Sequence, residues 1–396
     1  MHDRRAALPG FLSAPSSDKP SIVSRPSYDE VVLLTGLPSF AARTTCEEIV
    51  RTSPKTLVHA LVRAKLEAET RDFLDALPLE QRSRVQLVEG DTAAMDLGLS
   101  GVEIKQLAAE VDRIHHVAGV SYLGVDRETA EHVNVGGARE ILEFAGACAS
   151  LKCLVHHSTA LVSGDRTGLV LEDDLKMGQR FRNVVEETKA RAEKKMRAAM
   201  PKIPIAVVRP SMVVGDSQTG EIDRFDGPYL LILLIVTSPA EIALPLPSRG
   251  DAPLNLVPAD YVARAARAIG LDPGSPGRTF HVVDPAPLSA RRVFELVALA
   301  AGRRQPRGFI PANLTKALLR TPGLERFAKS PRAFFDALAT PVRWDSSNTD
   351  VIVGGADLHC PPLEGYIDKL VEYVQTRLRE KREKRAAAAE LEDPLG

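Results

Sequence analysis

Seven short apolar runs, spaced by segments long enough for crossover helices, constrain this chain more than any other feature. They lie at residues 30–34 (EVVLL), 56–62 (TLVHALV), 85–88, 113–117, 153–157, 205–208 and 279–283. Runs of this length read as buried strands, and helix-length connections make parallel pairing the economical arrangement. A doubly wound α/β sheet follows, with one nucleotide-sized crevice at the carboxyl ends of its strands.

With 396 residues, 44% of them hydrophobic, the chain can bury a large core in more than one unit. The expected organisation is a flexible extension over 1–29, a nucleotide-binding domain over 30–283 with an insertion at about 215–250, a helical lobe over 284–378 and a charged helical tail over 379–396. A net charge of −1 gives no global field for nucleic acid, and Arg303, Arg304 and Arg307 form a basic patch without interleaved aromatics, which reads as solvated surface. Tyr229 to Val236 (YLLILLIV) is the longest apolar run and falls well short of the roughly 20 residues that cross a bilayer. No membrane span is expected. Cys46, Cys148, Cys153 and Cys360 show neither zinc spacing nor disulfide density, and residues 1–29 lack the apolar core of a secretory signal, so a cytoplasmic protein is expected.

The stretch from Phe181 to Glu193 (FRNVVEETKARAE) reads as a helix start, with strong helix formers behind a polar lead-in that includes Asn183. On a helix Val185 and Lys189 are one turn apart and share a face. A tyrosine four residues before a lysine would make a proton donor, because the ammonium lowers the phenol's pKa and the phenol protonates a carbonyl receiving hydride. Here the lysine stands without the phenol.

Thr35-Gly36 after the first run, Gly90-Asp91 after the third, His116-Val117-Ala118-Gly119 after the fourth, Asn134-Val135-Gly136-Gly137, Ser158-Thr159 after the fifth, Lys189 and Arg209-Pro210-Ser211 come in a set order. That ordered set resembles the extended short-chain dehydrogenase/reductase family over about residues 30 to 290. Asp216 to Asp223 and the Val62-Arg63 strand end are similar to its thioester-reductase and fatty-acyl-reductase branch. The resemblance implies a Rossmann domain with a smaller, discontinuous C-terminal substrate lobe. It also implies NADP(H) bound by Thr35, Gly36, Ser39, Phe40, Arg63, Asp91, Ala118, Lys189 and Pro210, and a catalytic set of Thr159, Lys189 and Asn134 with Val185 at the tyrosine position. Thr159 would hydrogen-bond the substrate oxygen, Lys189 the nicotinamide ribose, and Asn134 would help hold the site.

Besides Val185, a second departure bears on activity. The family's Thr-Gly-x-x-Gly-x-x-Gly turn has Ser39 and Ala42 at its second and third glycines, and Pro38 removes an amide donor. The turn therefore reads equally as an ordinary strand-to-helix connection. Arg63 and Lys65 at the second strand's end suit the 2′-phosphate of NADP, though a solvated strand end carries such residues too; Asp91 reads as adenine-side ligand or as a turn aspartate. Tyr122, His156, His157 and Tyr229 are candidate replacement donors, each read first as structural. The favoured expectation is a family member with impaired catalysis and weakened or lost NADP(H) binding, acting in ligand binding or scaffolding. The alternative is an active NADP-dependent reductase of an acyl thioester or lipid-like carbonyl. A homodimer is implied by the resemblance alone.

Overall fold

A computed structural model describes residues 28–122, 124–246, 249–309 and 340–392, with side chains to 384. The extension expected over 1–29 thus lies outside the described residues except for 28 and 29. The central sheet has seven strands, all parallel, in the order β3-β2-β1-β4-β5-β7-β10. These are β1 (Glu30–Thr35), β2 (Thr56–Val62), β3 (Val85–Glu89), β4 (Arg113–His116), β5 (Cys153–His157), β7 (Ile205–Pro210) and β10 (Thr279–Val282). Every residue of β1, β2, β4, β5 and β7 is buried, as expected of strands covered on both faces. The chain reverses its winding between β1 and β4, so the crevice opens at the carboxyl ends of those two strands.

Helices cover both faces. One face carries α4 (Gly101–Glu110), α6 (Gly137–Ala147) and α7 (Val184–Ala199); the other carries α1 (Phe40–Thr52), α2 (Glu67–Asp75) and α9 (Ala259–Leu271). Two short turns, α3 (Leu79–Arg82) and α5 (Arg127–Ala130), complete these layers. Local sequence sets their ends. Ser100 and Glu103 form a reciprocal capping box at the start of α4, and the Asn183 side chain accepts the Glu186 amide at 2.9 Å to start α7. On α1, Ala42, Thr45, Cys46, Ile49 and Val50 make the buried stripe at helical spacing, and the helix begins six residues before Cys46.

Beyond the sheet, α8 (Tyr229–Thr237) is apolar all round and packs in a separate core with α10 (Ala290–Ala300) and the first turns of α12 (Ile367–Glu392). The run YLLILLIV is therefore core; Tyr229 is fully buried, with its hydroxyl accepting the Gly215 amide at 2.8 Å. Residues after 340 also return to the Rossmann body. β11 (Val342–Trp344) pairs with β6 (Gly168–Val170), and α11 (Ser347–Gly355) lays Ile352 and Val353 onto the core beside β10. A two-stranded ladder of β8 (Met212–Val214) and β9 (Leu256–Pro258) joins the two cores. Among the described residues no helix is long and apolar enough to cross a membrane.

Candidate active site

The ends of β1, β4 and β5 and one face of α7 converge on the crevice. Gly36 follows β1 at φ +104°, where a side chain is strained, and a Cβ there would meet the Ala118 nitrogen at 2.8 Å. Thr35 fastens the same junction: its Oγ1 accepts the Ala118 amide at 3.1 Å and lies 3.0 Å from His116 Nδ1. The first loop and the β4 loop thus lie backbone against backbone, fastened by the Thr35 hydroxyl.

Lys189 reaches this junction from α7. Its ammonium donates to the His157 carbonyl at 3.0 Å and stands 2.6 Å from where a Gly119 Cβ would be, and the residue as a whole is 7% exposed. Burial pulls its pKa down to about 8, because an ammonium removed from water is disfavoured. Asn134 lies in a widened, π-helical turn over Glu131–Gly136. Its Oδ1 accepts the Val120 amide at 2.8 Å, and its Nδ2 donates to the Val120 carbonyl at 3.1 Å and to Thr188 Oγ1 at 2.9 Å. Those bonds tie the β4 loop to α7, so Asn134 positions the site.

Thr159 follows β5. Its hydroxyl accepts the Leu161 amide at 3.2 Å and donates to the Pro210 carbonyl at 3.4 Å, a long and weak bond. Beneath it, Ser158 Oγ donates to Glu193 at 2.6 Å, and Glu193 takes both Nε and Nη2 of the fully buried Arg209. This ion pair fixes the β5 end against β7 and α7.

Val185, one turn before Lys189, is walled into an apolar cluster with Val125 and Ala130. Tyr122 and Val120 pack against that cluster, and the Arg224 guanidinium lies 4.5 Å from the centre of the Tyr122 ring. Of the candidate replacement donors, only Tyr122 is at this wall. His156 and His157 are buried strand histidines, as their strand positions implied, and burial, then neighbouring positive charge, holds both below the usual imidazole range.

At the diphosphate end of the crevice, Ser39 caps α1 with φ −55°, a conformation open to any residue, and its side chain is exposed. The first amide of α1, on Phe40, donates to Asp223 at 2.5 Å, and Arg43 pairs with Asp223 at 2.6 Å and Glu221 at 3.2 Å. An anion therefore suits this helix start, and a carboxylate of the chain itself is seated there. Arg63 is exposed at the end of β2, and the Asp91 carboxylate accepts the Ala93 amide at 3.0 Å as a turn aspartate does. Lys189 and Gly119 are the groups that could hold the ribose end of a nicotinamide dinucleotide, with Asn134 bracing them, and the Phe40 amide with Arg43 could take its diphosphate in place of Asp223. Sequence reasoning missed Arg43, Glu193 and the reach of Asp223; the one signal was the motif over residues 216–223.

Comparison with known proteins bears on the fold and the family. The family model described as male sterility protein matches residues 34–266. Fatty acyl-CoA reductase 1 of Arabidopsis thaliana is 29% identical over 172 residues, covering 38% of this chain and 35% of that protein. This chain thus spans about a third of the length of the plant relatives it matches. The terminal R domain of the myxalamid PKS-NRPS pathway superposes with a TM-score of 0.73 at 25% identity, covering 88% of this chain and 91% of the domain. A thiolation-reductase di-domain from an archaeal non-ribosomal peptide synthetase superposes at 0.68 and 18% identity, covering 88% and 75%.

Proposed function

The chain belongs to the male sterility protein family, of extended short-chain dehydrogenase/reductase type, and on that premise we propose that it reduces an acyl thioester to the aldehyde with NADPH and goes no further. One observation carries the reading. Lys189 is kept buried on a backbone carbonyl, while Val185, on the same helix face, presents an apolar wall. Burying an ammonium without a carboxylate partner costs stability, so its retention points to a ligand it serves. The exposed Arg63 at the end of β2 favours the 2′-phosphorylated dinucleotide.

Bound in this crevice, the cofactor supplies a hydride to the thioester carbonyl carbon. Thr159 holds its present acceptor loosely, so its hydroxyl is free to turn to the substrate oxygen. Lys189 sets a positive charge beside Gly119 and favours the oxyanion that develops there. The oxyanion re-forms the carbonyl by breaking the C–S bond, and the thiolate leaves with the electron pair. Because a thiol has a pKa of about 8.5, that departure needs no proton from the Val185 position; solvent supplies it afterwards. Reduction of an aldehyde is different, since the alkoxide must receive a proton as it forms, and Val185 has none to give.

Purified protein incubated with NADPH and an acyl-coenzyme A should release thiol and aldehyde in equal amounts with only traces of alcohol. Lys189→Ala should cut turnover by about 10²-fold or more. Alcohol as the main product refutes the reading. A second reading, ligand binding without turnover, is favoured by the carboxylate seated at α1; NADPH binding with no thiol release would select it. The four cysteines are free, consistent with the cytoplasmic placement that we also propose.

A further inference from the structure

The acidic arm over residues 216–226 crosses from the second core to the Rossmann domain. Its base rests on α12: Lys369 Nζ donates to Gln218 at 3.3 Å, and the Tyr373 hydroxyl donates to the Ile222 carbonyl at 3.3 Å. Its tip delivers the Asp223 carboxylate to the Phe40 amide and to Arg43, with Glu221 on the same guanidinium. These are the groups at a helix start that would otherwise take a diphosphate. We propose that Asp223 is a tethered internal competitor for the dinucleotide diphosphate, displaced from Phe40 and Arg43 each time the cofactor binds, so that it sets cofactor affinity. The inference rests on the reductase reading above.

The seat is built to be left. A cavity of about 500 Å³ beside it is lined by the carboxylates of Glu47, Glu69, Asp72, Asp216 and Glu221, and Arg43 is the one cation among the described lining residues. Burial, with Glu221 and Asp216 adding to it against the opposing pull of Arg43, pushes the Glu47 carboxyl above its usual range. The arm therefore docks against like charge, and its Asp223 and Glu221 side chains are 36% and 45% exposed. Exposed ion pairs hold weakly. Arg43 changes partner on binding, from the chain's carboxylate to the ligand's phosphate, so the helix start keeps an anion in both states.

Calorimetric titration of the full chain with NADPH, and separately with inorganic pyrophosphate, tests this. Asp223→Asn should bind both probes about five- to twentyfold more tightly than the wild type, and Asp223→Ala should do the same; Glu221→Gln should gain less. In Arg43→Ala the gain from Asp223→Asn should vanish, because the released cation is what the ligand captures. Since Asp223 is a surface group, its variants should melt close to the wild type. If the wild type binds NADPH and the Asp223 variants bind no tighter, the competitor is refuted and the reductase reading stands. If neither wild type nor variants bind NADPH or pyrophosphate, both fall.

Discussion

Mild acid should destabilise this protein steeply. His59, His115, His116, His156 and His281 are each at most 2% exposed and His157 is 8% exposed, and burial is the largest cause holding every one below its ordinary pKa, His59 to about 4 and His116, His157 and His281 to about 3. His115 tilts against His157 with ring centres 5.9 Å apart, and His116 stacks on His156 at 5.5 Å, so a proton on any of them meets a neighbouring imidazole. His281 has Arg209 Nη1 3.1 Å from its Nε2. A base whose folded pKa is depressed contributes its full stability above the unfolded value of about 6.5, and loses it as pH falls from there towards the folded value. Between pH 7.5 and 5.5 each histidine should therefore cost about 1.3 kcal/mol, and the six together about 8 kcal/mol. That is of the order of a whole domain's stability. With an unfolding entropy of about 2 cal/mol/K per residue over 396 residues, the melting temperature should drop by about 10 °C. Glu47, Glu172 and Glu186, whose carboxyls are held above their usual range chiefly by burial, work in the opposite sense as pH falls through their raised folded values. Calorimetric melts at pH 7.5, 6.5 and 5.5 measure the drop, and His156→Phe, which keeps the stack, should remove about a sixth of it. A melting temperature constant across those three pH values would refute the reasoning.

Two substitutions probe the site from other sides. Val185→Tyr puts a phenol one turn before Lys189, so alcohol should appear among the products of thioester reduction at the expense of aldehyde; an unchanged ratio in a folded variant that still binds NADPH would count against the wall at Val185 as the stop. Glu193→Gln leaves Arg209 charged and fully buried without its carboxylate, which should cost about 3–5 kcal/mol in chemical denaturation, and a loss below about 1 kcal/mol would show that the pair does not hold the β5 end.

Much of this was legible because it is periodic. Buried strands announce themselves as apolar runs, and the spacing of Val185 and Lys189 gives a shared helix face whatever the surroundings, so the strand order's ingredients and the missing phenol could be read directly. Alternation likewise puts His156 and His157 on opposite faces of β5. Their ring partners on β4 depend on register between strands, which no local pattern prints. The contact of Asp223 with Phe40 spans 183 positions and depends on how the arm crosses from one core to the other. Ser39 is the instructive case. Read alone it is a lost glycine in a phosphate turn, yet the φ of −55° there asks for no glycine, and what stands at the helix start is a carboxylate from elsewhere.

Glu172 gives the chain an order of assembly. Its buried carboxylate accepts the amides of His281 at 2.8 Å, Asn348 at 2.7 Å and Thr349 at 3.4 Å, and the Thr349 hydroxyl at 3.0 Å. A nascent chain made only as far as Asn348 has all seven strands of its central sheet but carries this carboxylate with only the His281 amide among its donors. On a ribosome the sheet is therefore complete before Glu172 gains the donors that the Ser347–Gly355 helix brings.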